Sequence, residues 1–194
     1  GERQPFFNAY YSAQSEQVVV VEGQADAISF AEWGIAAVAI AGCASGHRAA
    51  QTTGAVFVLV RHAEKASDDP KDPSLSEIGQ TRAARLAVIL ERMDAVYATR
   101  YRRTQLTAAQ VAAANGLTTS TYDAAMPVEA FARKLRVAHP HDRVLVVGHS
   151  NTVSQIAASL CDCNVEPLRD DEYDRMITVR IGGDGKALLE QTRY

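Results

Sequence analysis

The chain has 194 residues, 47% hydrophobic and 22% charged, and a net charge of −3. That balance suits one sizeable globular domain with or without an appendage, and it gives no footing for broad nucleic-acid binding through backbone phosphates. No apolar run approaches the ~20 residues of a membrane span, and three cysteines, Cys43, Cys161 and Cys163, do not describe a disulfide framework.

Charge and composition divide the chain. Residues 1–47 set Arg3 against Glu2, Glu16, Glu22, Asp26 and Glu32, a net of −4, which leaves +1 for the remainder. Within them Val18–Gly42 reads as a β-α-β appendage or a poorly ordered leader. The small, polar, Gly-containing stretch Ala44–Ala55 reads as a linker. The expected organisation is therefore an N-terminal appendage and linker over 1–54 and a single domain over 55–194.

Past the linker, strands and helices alternate. VFVLV, Val56–Val60, is a short continuous apolar run, as expected of a strand buried on both faces. Ser76–Met93 reads as a helix that Ser76 can cap, with Ile78, Leu86, Ile89, Leu90 and Met93 on one apolar face. Asp94–Thr99 is a second strand. The Ala-rich Arg103–Gly116 is a helix closing on Asn-Gly. Leu117–Asp123 is strand-like, and Pro127–Ala138 is a helix with Pro at its start. Arg143–His149 is a further buried strand, and Asn151–Leu160 the helix after it. Arg175–Ile181 and Lys186–Tyr194 form the last strands around a GGDG turn. The pattern predicts an α/β fold, a three-layer α/β/α sandwich with a mainly parallel central sheet.

This reading locates the charged groups. Sites in open α/β sheets lie at the carboxyl ends of the strands. Arg61 and His62 follow the first buried strand; Arg100, Arg102 and Arg103 follow the second; His149, Ser150 and Asn151 follow VLVVG and open a helix. Guanidinium forks that converge on one point suit a tetrahedral dianion, and a helix N-terminus adds backbone donors. A neutral imidazole among them is a competent nucleophile toward phosphorus. The cations stabilise charge on the equatorial oxygens, so the predicted chemistry needs neither cofactor nor metal.

Four ordered blocks carry a family resemblance: LVRHAEK, LSEIGQTRAARLA, ATRYRRTQLTAA and VVGHSNTV. Together, from about Ala55 to the C-terminus, they resemble the histidine phosphatase superfamily with its phosphoglycerate-mutase-like fold. The short domain looks most like the small, lid-free members, which include the SixA-type protein-phosphohistidine phosphatases. The resemblance implies a phosphohydrolase acting on a phosphorylated small molecule or phosphoprotein. It implies His62 as nucleophile, with Arg61, Arg103 and His149 on the phosphoryl group and Ser150 beside them.

The sequence departs from the family pattern at several places. Ala63 stands for the usual Gly, Thr99-Arg100-Tyr101 for Ser-Pro-Leu, and the family's Asn falls near Asp68. Phosphoester enzymes of the family place a Glu after a later strand as general acid. Here that region reads TYDAAMPVEAF, which offers Asp123 first and Glu129 second. Asp123 serves equally well as a turn residue. A phosphohistidine substrate has a better leaving group and manages without such an acid.

Other residues have plainer readings. Arg61-His62 taken alone fits a surface step after a strand. Glu64, Lys65 and Asp68–Asp72 read as a solvated rim loop, and Arg102 as exposed. His139 and His141 read as solvated loop residues, without the partners a metal site needs. Cys161 and Cys163 read as structural thiols.

In the N-terminal region Glu22-Gly23, after an apolar strand, resembles the opening of a toprim domain, although the Asp-x-Asp of its metal site is missing. AVAIAGCAS resembles a bacterial lipobox with Cys43 as the lipidated residue, without the basic n-region of a signal. The sequence thus leaves the compartment open between cytoplasm and a lipid-anchored location. The alternatives to a phosphohydrolase are a non-catalytic phosphate-binding module of the same fold and, more remotely, a toprim-type nucleic-acid enzyme.

Overall fold

The chain divides after Ala50. The computed structural model describes residues 54–194, all in the second unit. The expectations for the N-terminal segment, Glu22-Gly23 and Cys43 among them, lie outside the described residues.

Ten elements alternate as expected: β1 (Ala55–Arg61), α1 (Glu77–Ile89), β2 (Ala95–Thr99), α2 (Arg102–Ala114), β3 (Thr119–Tyr122), α3 (Val128–Ala138), β4 (Arg143–Gly148), α4 (Val153–Cys161), β5 (Arg175–Ile181) and β6 (Ala187–Arg193). The strands form one sheet in the order β3-β2-β4-β1-β5-β6. β3, β2, β4 and β1 run parallel, while β5 and β6 are antiparallel additions at one side.

Side-chain alternation divides the core into two layers. Phe57, Leu59, Val144, Val146 and Ile177 face one layer, packed against Phe131 and Leu135 of α3 and Ile156 and Leu160 of α4. Val58, Val60, Leu145 and Val147 face the other, against Leu86 of α1 and Ala108 and Val111 of α2. A central strand with apolar side chains on both faces has to be covered on both. The three-layer sandwich read from the sequence follows from this.

α1 departs from its predicted extent. Ser76 caps it, its hydroxyl accepting from the Gly79 amide at 3.2 Å, but the helix ends at Ile89. Its buried stripe is Gly79, Ala83 and Leu86. Ile78, one position off that stripe, is 66% exposed, and Ile89 is exposed too. Leu90 and Met93 reach the core from beyond the helix. Gly79 is required by close approach, since a Cβ there would lie 2.3 Å from the Glu64 carbonyl oxygen.

The structural thiols expected at Cys161 and Cys163 are instead a disulfide. Asp162 between them adopts a left-handed backbone (φ 51°) that ends α4 and turns the chain back, bringing the two Cα atoms within 5.1 Å. His139 is not a solvated loop residue. Its Nδ1 lies 2.8 Å from Asp142 and its Nε2 2.9 Å from the Tyr97 hydroxyl, at the edge opposite the strand C-termini. No described helix is long and apolar enough to cross a membrane.

Candidate active site

The parallel register of β1 and β4 sets the two histidines level. Arg61 pairs with Gly148, and the His62 amide donates to the Gly148 carbonyl at 3.0 Å. The imidazoles of His62 and His149 thus leave adjacent strand ends with ring centroids 5.5 Å apart. They line a cleft of about 580 Å³ together with Arg61, Arg103, Ser150, Lys65, Tyr101, Asp170 and Tyr173. Every phosphate-binding residue expected from the sequence reaches this one cleft. Asp123 does not. Its Oδ1 accepts from the Ala125 amide at 2.9 Å, the geometry of a turn. Glu129, exposed in the first turn of α3, does not line the cleft either.

His62 is held in one tautomer. Its Nδ1 lies 2.8 Å from the Ala63 carbonyl oxygen. A carbonyl only accepts, so Nδ1 carries the proton and Nε2 keeps its lone pair. The ring is 4% exposed. Burial, against the opposing pull of the Ala63 carbonyl, lowers its pKa to about 3, with His149, Arg61 and Arg103 adding to the depression. The loop behind it is tied to α2: the Ala63 amide donates to the Thr107 hydroxyl, which donates to the Arg103 carbonyl.

His149 is held from the other side. Its Nε2 lies 3.0 Å from the Thr99 hydroxyl, which contacts the Thr104 hydroxyl at 2.8 Å. Burial lowers its pKa to about 4, with Arg103 and Arg61 contributing. The helix predicted over Asn151–Leu160 begins slightly later, at Val153. The intervening turn is closed by the Thr152 hydroxyl, which accepts from the His149 amide at 3.2 Å.

The two arginines flank the histidines in parallel fashion. The Arg61 guanidinium lies 4.0 Å from the Tyr173 ring centroid and that of Arg103 lies 4.5 Å from the Tyr101 ring. Arg61, 6% exposed, spends Nη1 on the carbonyls of Arg169, Asp170 and Glu172 and Nη2 on the Tyr173 hydroxyl. The Nε of each arginine is buried with no hydrogen-bond partner among the described residues. Two guanidinium groups on the wall of a polar cleft give it the charge that suits an anion.

Lys65 and Asp68 are exposed, as expected of a solvated rim loop, while Glu64 departs from it. Glu64 forms a two-pronged ion pair with Arg82 at 2.7 Å, because α1 brings the guanidinium fork square onto the carboxylate. Asp72 pairs with Arg103 at 3.6 Å. Arg102 is exposed, as read from the sequence. Tyr101, Asp170 and Tyr173 were not foreseen as cleft residues. Tyr101 occupied a position where a family Leu was expected, the one visible signal. Asp170 and Tyr173 lie between α4 and β5, in a stretch with no periodicity. Among the described residues, no group of three or more His, Cys, Asp or Glu is arranged to hold a metal ion.

The model of the histidine phosphatase superfamily (branch 1) matches residues 57–126. The chain resembles the histidine phosphatases. Solved structures extend the likeness to the whole described fold. The protein histidine phosphatase SixA, complexed with tungstate, is 17% identical, covers 71% of this chain and 96% of its own, and superposes with a TM-score of 0.56. An Escherichia coli protein described as an alpha-ribazole-5'-P phosphatase is 18% identical, with 73% and 97% covered and a TM-score of 0.59. A mutant phosphoserine phosphatase of Entamoeba histolytica, in complex with phosphoserine, is 13% identical, with 70% and 94% covered and a TM-score of 0.54. At these identities the structures establish the histidine phosphatase fold. No curated protein matches the sequence. The toprim resemblance of the N-terminal segment is not borne out; the family match begins only at Phe57.

Proposed function

We propose that this chain is a metal-independent phosphohydrolase that cleaves phosphomonoesters or protein phosphohistidine through a covalent phosphohistidine on His62. The observation that carries the reading is the state of His62. It is a buried imidazole with Nδ1 committed to the Ala63 carbonyl and its other nitrogen unprotonated, in a cleft with two arginines. Nε2 attacks phosphorus, the bond to the leaving group breaks, and water then displaces phosphate from His62. Arg61, Arg103 and His149 stabilise the charge on the equatorial oxygens, and Ser150 borders the same volume.

Rapid quenching under non-acidic conditions during turnover should trap phosphate on His62 as an acid-labile, base-stable adduct. His62→Ala should abolish adduct and turnover together. A His62→Ala variant that turns over near the wild-type rate overturns the mechanism. A shorter protein starting at Gln51 should keep its activity if the chemistry resides in residues 55–194; a folded but inactive one would place part of the site in the N-terminal segment.

A second reading, a non-catalytic phosphate-binding module of the same fold, is favoured by one observation. Neither Asp123 nor Glu129 lines the cleft, so the acid expected from the sequence is not at hand. Phosphate or vanadate binding without turnover of an aryl phosphate in EDTA would select it.

A further inference from the structure

The loop 162–174 returns from the end of α4 to the cleft and carries three consecutive acids, Asp170, Asp171 and Glu172. Their situations differ. Asp171 is exposed and pairs with Arg169 at 3.1 Å. Glu172 is buried, pairs with Arg175 at 2.6 Å and Arg193 at 3.1 Å, and accepts from the Arg169 amide. Of these acids Asp170 alone lines the cleft, and among the described residues it is the one carboxylic residue there. No hydrogen bond or ion pair occupies its carboxylate among the described residues.

Its backbone is nevertheless fixed. The Asp170 carbonyl accepts from Arg61 Nη1 at 2.8 Å, and the carbonyls of Arg169 and Glu172 accept from the same nitrogen at 3.2 and 3.3 Å. The residue that precedes the nucleophile in sequence therefore holds the loop that carries Asp170 at the cleft.

Resting on the phosphohydrolase reading above, we propose that Asp170 is the general acid for a phosphomonoester substrate, in the role the sequence assigned to Asp123 or Glu129. As His62 Nε2 forms its bond to phosphorus, the ester P–O bond breaks and the proton of the Asp170 carboxyl passes to the leaving oxygen, which departs as an alcohol. Water then attacks the phosphohistidine and gives up its proton to solvent, from which the Asp170 carboxylate is reprotonated. The P–N bond breaks, and neutral His62, protonated Asp170 and phosphate result. Proton donation matters most where the leaving alkoxide is poor and least where it is stable by itself.

That difference supplies the test. Turnover of glycerol phosphate, an alkyl ester, and of para-nitrophenyl phosphate is measured for the wild type, Asp170→Asn, Asp123→Asn and Glu129→Gln, with circular dichroism to show that each is folded. Asp170→Asn should lose ~10²-fold or more on glycerol phosphate and stay within about threefold on the aryl ester, while the other two variants change little on either. Equal loss on both substrates, no loss on either, or the selective loss appearing in Asp123→Asn or Glu129→Gln each overturns the assignment. So does a wild type that hydrolyses the aryl ester and not the alkyl one, since no acid is then at work. A wild type that turns over neither ester and forms no His62 adduct refutes the phosphohydrolase reading itself, a result separable from failure of Asp170 alone.

Discussion

The cleft is built from two kinds of structure. One wall consists of strand ends: Arg61-His62 after β1 and His149-Ser150 after β4, locked level by the parallel ladder. The other is the irregular return loop 162–174, which has no ladder and is tied down by the Arg61 guanidinium, the buried Glu172 and the Arg175 fork. In the proposed mechanism the first wall brings the groups that act on phosphorus. The second brings Asp170 and Tyr173 to the same cleft. Rigid strands place the invariant part of a reaction, and a loop tethered at a few points can vary with the substrate.

Arg61 joins the two walls, and removing it should have the largest effect of the variants considered next. Arg61→Ala deletes a guanidinium with a proposed role in phosphate binding and frees three loop carbonyls at once. We expect kcat/KM to fall by ~10³–10⁴-fold. Hydrogen exchange should also speed up across 166–173. A fall in activity without faster exchange would mean that the loop holds itself and that the walls are independent.

His149 belongs to the first wall only. His149→Ala should lower kcat by ~10²–10³-fold, since it removes charge stabilisation while leaving the nucleophile in place. The His62 adduct should still form slowly, and exchange in the return loop should not change. Quench-flow and exchange on one sample check both halves. Loss of the adduct would make His149 part of the nucleophile's activation instead.

The first wall was legible in the sequence and the second was not, for a physical reason. VFVLV and RVLVVG announce buried parallel strands by composition alone, and a parallel sheet puts its chemistry at their C-terminal ends. Arg61, His62, Arg103, His149 and Ser150 could therefore be gathered without coordinates. Asp170 sits in PLRDDEYD, whose position is set by contacts with Arg61, more than a hundred positions upstream. Nothing local encodes such a contact. The same blindness misassigned Glu64, whose partner Arg82 is supplied by the packing of α1, and it left the Cys161–Cys163 bond unseen. That bond depends on a left-handed Asp162 that the string CDC does not reveal.

The first wall also has a stability signature that the second lacks. Folding lowers the pKa of His62 to about 3 and that of His149 to about 4, mainly through burial. Between the ordinary histidine value of ~6.5 and these values the unfolded chain binds protons that the folded chain refuses. Stability is therefore fully present above about pH 6.5 and is lost as pH falls toward 4 and then 3. Glu172, held to about 2 by Arg175 despite its burial, adds a loss only below the ordinary carboxyl range. Urea unfolding of the wild type and of His149→Gln at pH 7 and pH 5 separates these. The variant should lose less stability between the two pH values. Equal losses would mean that carboxylates, not the histidine wall, set the slope.

The smallest expected effect is the most discriminating. The Tyr173 hydroxyl accepts from Arg61 Nη2 at a long 3.3 Å, while its ring lies against the guanidinium at 4.0 Å. Tyr173→Phe keeps the ring contact and deletes only that hydrogen bond, which is worth ~0.5–1.5 kcal/mol. On the proposed mechanism Arg61 binds the phosphoryl group in ground and transition states alike, so the loss should fall on KM, by roughly two- to tenfold, with kcat unchanged. Tyr173→Leu, which removes the ring as well, should cost more. A rise in kcat/KM for Tyr173→Phe would reverse the sense of the contact. The hydroxyl would then be competing with the substrate for Nη2, and the return loop would hold Arg61 away from phosphate until a substrate displaced it.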